Sequence, residues 1–140
     1  MLGHWVKLML AAAAVVLLAG SCSTKEDLAA AEREVEKFHQ AYNAGRFDAI
    51  YEKTTDELKK TTPREEFVGM LETLQRKLGR ETDFKRTNWT VNFGSGGTTV
   101  NLVYETAYEQ GKGTETFNYR VSGKKALLMG YTINSKNLLR

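Results

Sequence analysis

The sequence predicts an α+β domain in which N-terminal helices pack on a curved antiparallel sheet of about four strands. Two observations carry this. Up to Gly79 apolar residues recur at intervals of three and four, and from Asn88 onward they alternate with polar ones. Gly-containing turns then divide the second part into segments of strand length, which make a meander with one apolar and one polar face.

Helix one opens at Ser23-Thr24-Lys25-Glu26, which has the spacing of a capping box. Leu28, Ala31, Val35, Phe38 and Tyr42 form its apolar stripe, and Gly45 stops it. Phe47, Ile50 and Tyr51 predict a short second helix, and Thr54-Thr55-Asp56-Glu57 starts a third through Leu58. Thr62-Pro63-Arg64-Glu65 reads as N-cap, first-turn Pro and acidic third position. Phe67, Leu71, Leu74 and Leu78 are the buried face of that fourth helix, and Gly79 ends it. Four strands follow, centred on Trp89-Thr90-Val91, on Leu102-Val103-Tyr104, on Phe117-Asn118-Tyr119, and on Leu127, Met129, Tyr131 and Ile133.

The 140 residues include one Cys and two His, which excludes a disulfide framework and leaves no ligand set for a zinc or iron–sulfur site. No metal and no cofactor is expected. Lys7 precedes an uncharged run, LMLAAAAVVLLA, over residues 8–19. At about 1.5 Å per residue this run covers about 18 Å, against about 30 Å of hydrocarbon in a bilayer, so it reads as an export signal rather than a span. It ends in Leu18-Ala19-Gly20-Ser21-Cys22, and Cys22 is the single cysteine.

That ending resembles the lipobox of bacterial lipoproteins, with Ala19 where a larger aliphatic residue is usual. The resemblance implies a signal peptide over residues 1–21, diacylglycerol on Cys22, a tether over 22–25 and one domain over 26–140. In a double-membraned bacterium, Ser23 after the cysteine implies the periplasmic face of the outer membrane. Loss of Lys7 lowers the formal charge from +3 to +2, and export removes the reason to read the basic balance as nucleic-acid binding.

The stretch Phe38-His39-Gln40-Ala41-Tyr42-Asn43-Ala44-Gly45-Arg46-Phe47-Asp48, with the strands around Leu102-Val103-Tyr104-Glu105-Thr106 and Leu128-Met129-Gly130-Tyr131-Thr132-Ile133, resembles the NTF2-like (SnoaL-like, cystatin-like) superfamily. The resemblance covers residues 26–134. It implies a sheet curled into a cone around helix one, inside which the family's enzymes place acid–base groups.

Alternation assigns Trp89, Val91, Phe93, Leu102, Tyr104, Tyr108, Phe117, Tyr119, Met129 and Tyr131 to the inward face, opposite Phe38 and Tyr42. This set holds no carboxylate and no histidine, so it reads as core first and as the lining of a pocket second; acid–base chemistry needs a tuned titratable group. His39 is placed beside the helix stripe and facing the edge or solvent, and Asp48 near the cone mouth. These are the two polar candidates, and neither has a partner by spacing.

Arg76, Lys77, Arg80, Lys85 and Arg86 form a basic cluster, read as a solvated rim with anionic lipid or acidic polymer as the alternative. Thr90, Asn92, Asn101, Glu105, Asn118 and Arg120 make the outer sheet face polar, which predicts a monomer or weak dimer. The leucines of Lys136, Leu138, Leu139 and Arg140 are expected to fold back on the core. The functional expectation is a membrane-anchored envelope lipoprotein acting as a non-catalytic module that binds an envelope protein or a small apolar ligand. A pocket enzyme of isomerase, dehydratase or cyclase type and a scaffold subunit of an envelope assembly remain the alternatives.

Overall fold

A computed structural model describes the backbone of residues 19–139 and the side chains of residues 23–139. Residues 1–18 of the expected signal peptide, and the Cys22 side chain expected to carry lipid, lie outside the described residues. Among the described residues four α-helices precede four strands: α1 (Ala19–Asn43), α2 (Phe47–Glu52), α3 (Asp56–Thr61), α4 (Arg64–Leu78), β1 (Glu81–Gly94), β2 (Gly97–Tyr108), β3 (Gly111–Ser122) and β4 (Lys125–Asn134). The strands form one antiparallel sheet in the order β1-β2-β3-β4, and a short 3-10 turn, Lys136–Leu139, closes the chain.

The helix signals act largely where the spacing places them. Gly45 and Gly79 take positive φ, 71° and 78°, which glycine adopts without steric cost after the last turn of a helix. Thr55 caps α3, its hydroxyl accepting from the Leu58 N–H at 3.2 Å. Two starts differ from expectation. Ser23 and Thr24 lie inside α1, which already runs from Ala19, because no proline interrupts the chain there. Pro63 itself holds the position before α4, with φ −60° and ψ 152°, and Thr62 closes α3.

The apolar stripe of α1 lies across the sheet. Ala31, Val35, Phe38 and Tyr42 meet Val100, Leu102, Tyr104 and Tyr108 of β2 and Phe117, Tyr119 and Val121 of β3 in one buried cluster. Phe38 lies edge-on to Phe117, with ring centroids 5.0 Å apart. α4 adds Phe67, Leu71, Leu74 and Leu78 to the same cluster. Among the described residues every member of this core lies between Ala30 and Leu128, so residues 23–140 keep all of it.

Opposite partners across an antiparallel pair share a face, and pairing places Trp89 against Leu102, Val91 against Val100 and Phe93 against Thr98. The inward assignment of these three residues is therefore right as to face, yet Trp89 and Phe93 are exposed. α1 does not cover this end of the edge strand, which a sheet's right-handed twist carries away from the helix axis. β1 is also longer than the alternation suggests, beginning at Glu81, and its register shifts between Glu81 and Asp83 and again between Arg86 and Asn88.

A further register shift lies opposite Asn118 and Tyr119, which pair with Gly130 and Leu128 and leave Met129 between them. This changes the face of the first part of β4. Ala126 and Leu128 are buried, while Met129, assigned inward from alternation, is only half-buried. The outer edge of β4 is covered by the link between α2 and α3: Leu128 N–H donates to the Lys53 carbonyl at 3.0 Å, and Thr55 N–H to the Leu128 carbonyl at 2.9 Å. At the C-terminus Leu138 packs on the core, whereas Leu139 is exposed.

Phe117 is fully buried at the junction of α1, β2 and β4. Replacing it by Ala removes a ring and leaves a cavity, and should cost about 3–5 kcal/mol in urea denaturation with an unchanged m-value. A loss below about 1 kcal/mol would contradict the packing described.

Candidate functional site

The interior holds a polar cluster that alternation and helical spacing did not bring out. Glu115 on β3 is fully buried, and its carboxylate accepts from His39 Nε2 at 2.8 Å, from Thr106 Oγ1 at 2.5 Å and from the Tyr131 hydroxyl at 2.6 Å. These donors belong to α1, β2 and β4. The inward face does contain a carboxylate and a histidine, which corrects the reading from sequence. His39 is 2% exposed rather than at the edge, and its ring lies 4.4 Å from that of Phe84, centroid to centroid.

Burial pushes the Glu115 carboxyl up, but the hydrogen bond and attraction of His39, followed by the hydrogen bonds of Thr106 and Tyr131, outweigh it and hold the group below its ordinary value. An ionised carboxylate only accepts, so His39 Nε2 carries a hydrogen in this pair. Its other ring nitrogen, Nδ1, is buried with no protein partner. Burial first, and then the nearby Glu115 charge, push the hydroxyls of Tyr108 and Tyr131 far up, so both remain donors.

Around this cluster aromatic side chains occupy the space between α1 and the sheet. Phe38, Tyr42, Tyr104, Tyr108 and Tyr119, all candidates for lining a pocket, are buried in the core. Tyr42 donates to the Gly79 carbonyl at 2.8 Å, and Gln75 Nε2 donates to the Tyr42 carbonyl at 2.6 Å, fixing the end of α1 against the end of α4. Asp48 is paired with Arg64 on the exposed side of α2, away from the interior.

Space of ligand size remains at the rim. A cleft of about 240 Å³ lies between α1 and α2. Phe38, Ala41, Ile50, Tyr119 and Leu128 make its apolar surface, and Lys37, Arg46, Lys53 and Glu34 its polar border. Glu34 engages Lys37 at 3.0 Å and Lys53 at 3.6 Å, so one carboxylate serves two ammonium groups. A second, more open depression of about 280 Å³ is bordered by Glu36, His39, Asn43, Glu81 and Phe84. Burial raises Glu81 there, and Asn43 is tied to its backbone in both directions, at 3.0 and 2.8 Å.

The basic cluster does not act as one surface. Arg76 bonds Thr73, Lys77 donates to the Leu138 carbonyl, and Arg86 pairs with Glu32 of α1. Among the described residues no group of three or more His, Cys, Asp and Glu is arranged to hold a metal, and no helix is long and apolar enough to cross a membrane. No protein-family model matches the chain, and no curated protein matches it significantly.

The lowered pKa of Glu115 has a defined sign in stability. Its contribution is present above the carboxyl's unfolded value, near 4.5, and is lost as pH falls through the lower folded value, because the unfolded chain then binds the extra proton first. Glu115→Gln should be less stable at neutral pH, and the gap to the parent should narrow in urea titrations as pH is lowered below about 4. Glu115→Ala, which strands three donors, should cost about 3–5 kcal/mol. Parallel pH profiles for the parent and the Gln variant would remove Glu115 as the titrating group.

Proposed function

We propose that the chain is an exported envelope lipoprotein, anchored through Cys22, whose NTF2-like domain is a non-catalytic module that binds a small amphipathic anion in the α1–α2 cleft. The composition of the cleft carries this reading. Its floor is aliphatic and aromatic, while its border holds three cations against the single carboxylate of Glu34. Such a site takes an apolar chain or ring on Ile50, Leu128 and Phe38, with its acid group turned towards Arg46 and Lys37.

Support for the cone reading comes from the long helix laid across a meander sheet with short helices between. Support for a non-catalytic role comes from the state of the buried pair. A carboxylate–imidazole pair is the usual basis of acid–base chemistry, and it is the observation that favours the enzyme alternative. Here, however, the ring nitrogen left over, His39 Nδ1, is buried from solvent, and the carboxylate is consumed by three protein donors. The pair is placed to join elements rather than to meet a substrate.

Two measurements test the parts separately. Cys22→Ser should move the protein from the membrane to the soluble fraction of the producing cell, with loss of incorporated radiolabelled palmitate. A variant that stays wholly in the membrane fraction sinks the anchor. For the cleft, calorimetric titration of residues 23–140 with octanoate should give one saturable site. Arg46→Glu should weaken it about tenfold or more through loss of a charge-assisted contact, and Ala49→Trp, at the exposed border, should block it. Octanoate binding that ignores both substitutions refutes the cleft.

A further inference from the structure

The four helices and the meander define two ends of the molecule. Tyr42 and Asn43, at the C-terminus of α1, bond to Gly79 and Glu81, and Gln110 N–H donates to the Leu78 carbonyl. The β2–β3 turn therefore lies at the end where α1 finishes. In an antiparallel meander the β1–β2 and β3–β4 turns lie together at the opposite end, towards which the N-terminal half of α1 runs. That second end has an unusual surface.

Residues 87–104 contain no Asp, Glu, Lys, Arg or His. Within them the far part of β1 presents Trp89, 44% exposed, Val91, half-buried, and Phe93, 66% exposed, all on one face. Thr90 and Asn92 alternate with them. Large exposed apolar side chains are few among the described residues, and two of the four, Trp89 and Phe93, are on this one hairpin arm. Lys124 and Lys125, both exposed, stand at the β3–β4 turn of the same end. A neutral arm with exposed aromatic rings, flanked by cations, has the composition of protein surfaces that enter the interface of a bilayer, where amphipathic rings sit at headgroup level and lysines meet lipid phosphates.

We infer that this end is a membrane-docking surface: Trp89 and Phe93 insert into the interface of an anionic phospholipid bilayer, and Lys124 and Lys125 contact its phosphates. The position of α1 supports lipid as the occupant, since the N-terminal end of this helix, which points to the same end of the molecule, carries Cys22 and reaches Ala19, the last residue of the apolar run at residues 8–19. To that extent the inference rests on the anchor reading. An anchored domain docked in this way lies with α1 rising from the bilayer and the α1–α2 cleft at the side, open to the aqueous phase.

The test uses residues 23–140, which retain the whole core and carry neither the apolar run nor Cys22, so that its outcome is independent of lipidation. Trp89 is the single tryptophan in this segment. On mixing with vesicles of phosphatidylethanolamine and phosphatidylglycerol, its emission should move to shorter wavelength and be quenched by lipids brominated in the acyl chains. Phe93→Ser, at an exposed position, should reduce vesicle partitioning, and Lys124→Gln with Lys125→Gln should reduce it about tenfold. Replacing phosphatidylglycerol by phosphatidylcholine should have the same effect as the lysine substitutions.

Unchanged Trp89 emission at saturating lipid, with circular dichroism showing a folded domain, overturns the inference. So does vesicle binding through the lysines without quenching of Trp89, which would mean an electrostatic contact alone. Loss of palmitate labelling at Cys22 together with intact Trp89 quenching would remove the anchor and keep the docking surface.

Discussion

The carboxylate of Glu115 beneath α1 is the interaction on which the remaining architecture depends. It joins α1, β2, β3 and β4 through one side chain, because its three donors come from the three elements other than its own. An isolated ionised carboxylate at full burial is costly; one with three hydrogen bonds, two of them to hydroxyls, is compensated. The compensation is specific. A slip of β3 by one residue turns Glu115 to the outer face and leaves His39, Thr106 and Tyr131 without an acceptor, so the polar cluster selects the register that hydrophobic alternation merely permits.

Filling of the interior determines where binding is feasible. Tyr104, Phe117 and Tyr119 occupy the volume between helix and sheet, with Tyr104 and Phe117 edge-on at 5.8 Å between centroids. Their rings fill the centre, and the apolar cleft lies where α2 departs from α1 after the Gly45 turn. The same link that forms one side of that cleft, Lys53 to Thr55, also pairs with Leu128 of β4. The cleft thus has a wall held by backbone hydrogen bonds, and a border of long charged side chains that are free to adapt.

How much of this was legible in the sequence differs by element. Gly45, Gly79 and Thr55 act locally, and local chemistry is written in adjacent residues. The change of period after Gly79 likewise gave the sheet and its meander order. His39 was misplaced although a signal existed: it lies four residues after Val35 and three before Tyr42, which puts it on the buried side of the same stripe. Glu115 had a signal too, since counting back by two from Phe117 reaches it. Neither signal stands out, because charged residues are rarely buried, and a pair of them seventy-six positions apart shows no spacing. The shift at Met129 had no sequence signal, because a single residue inserted in one strand is visible only against its partner. Exposure of Trp89 and Phe93 was equally illegible: alternation tells which face a residue takes, and not whether a helix covers it.

The two edges of the sheet are protected by different means, and this has a consequence for self-association. β4 is shielded along part of its length by paired backbone from Lys53 to Thr55. β1 is not, but its first part has two register shifts, with Lys85 and Arg86 between them, and such kinks and charges discourage a second chain from adding to an edge. From Asn88 to the turn the ladder is regular and uncharged, and its outward row of N–H and C=O groups is open to any extended peptide. Whatever occupies the aromatic face of that arm also controls access to the edge. A protein purified without that occupant carries an adhesive strand, and its tendency to form fibres or strand-added dimers should rise with concentration.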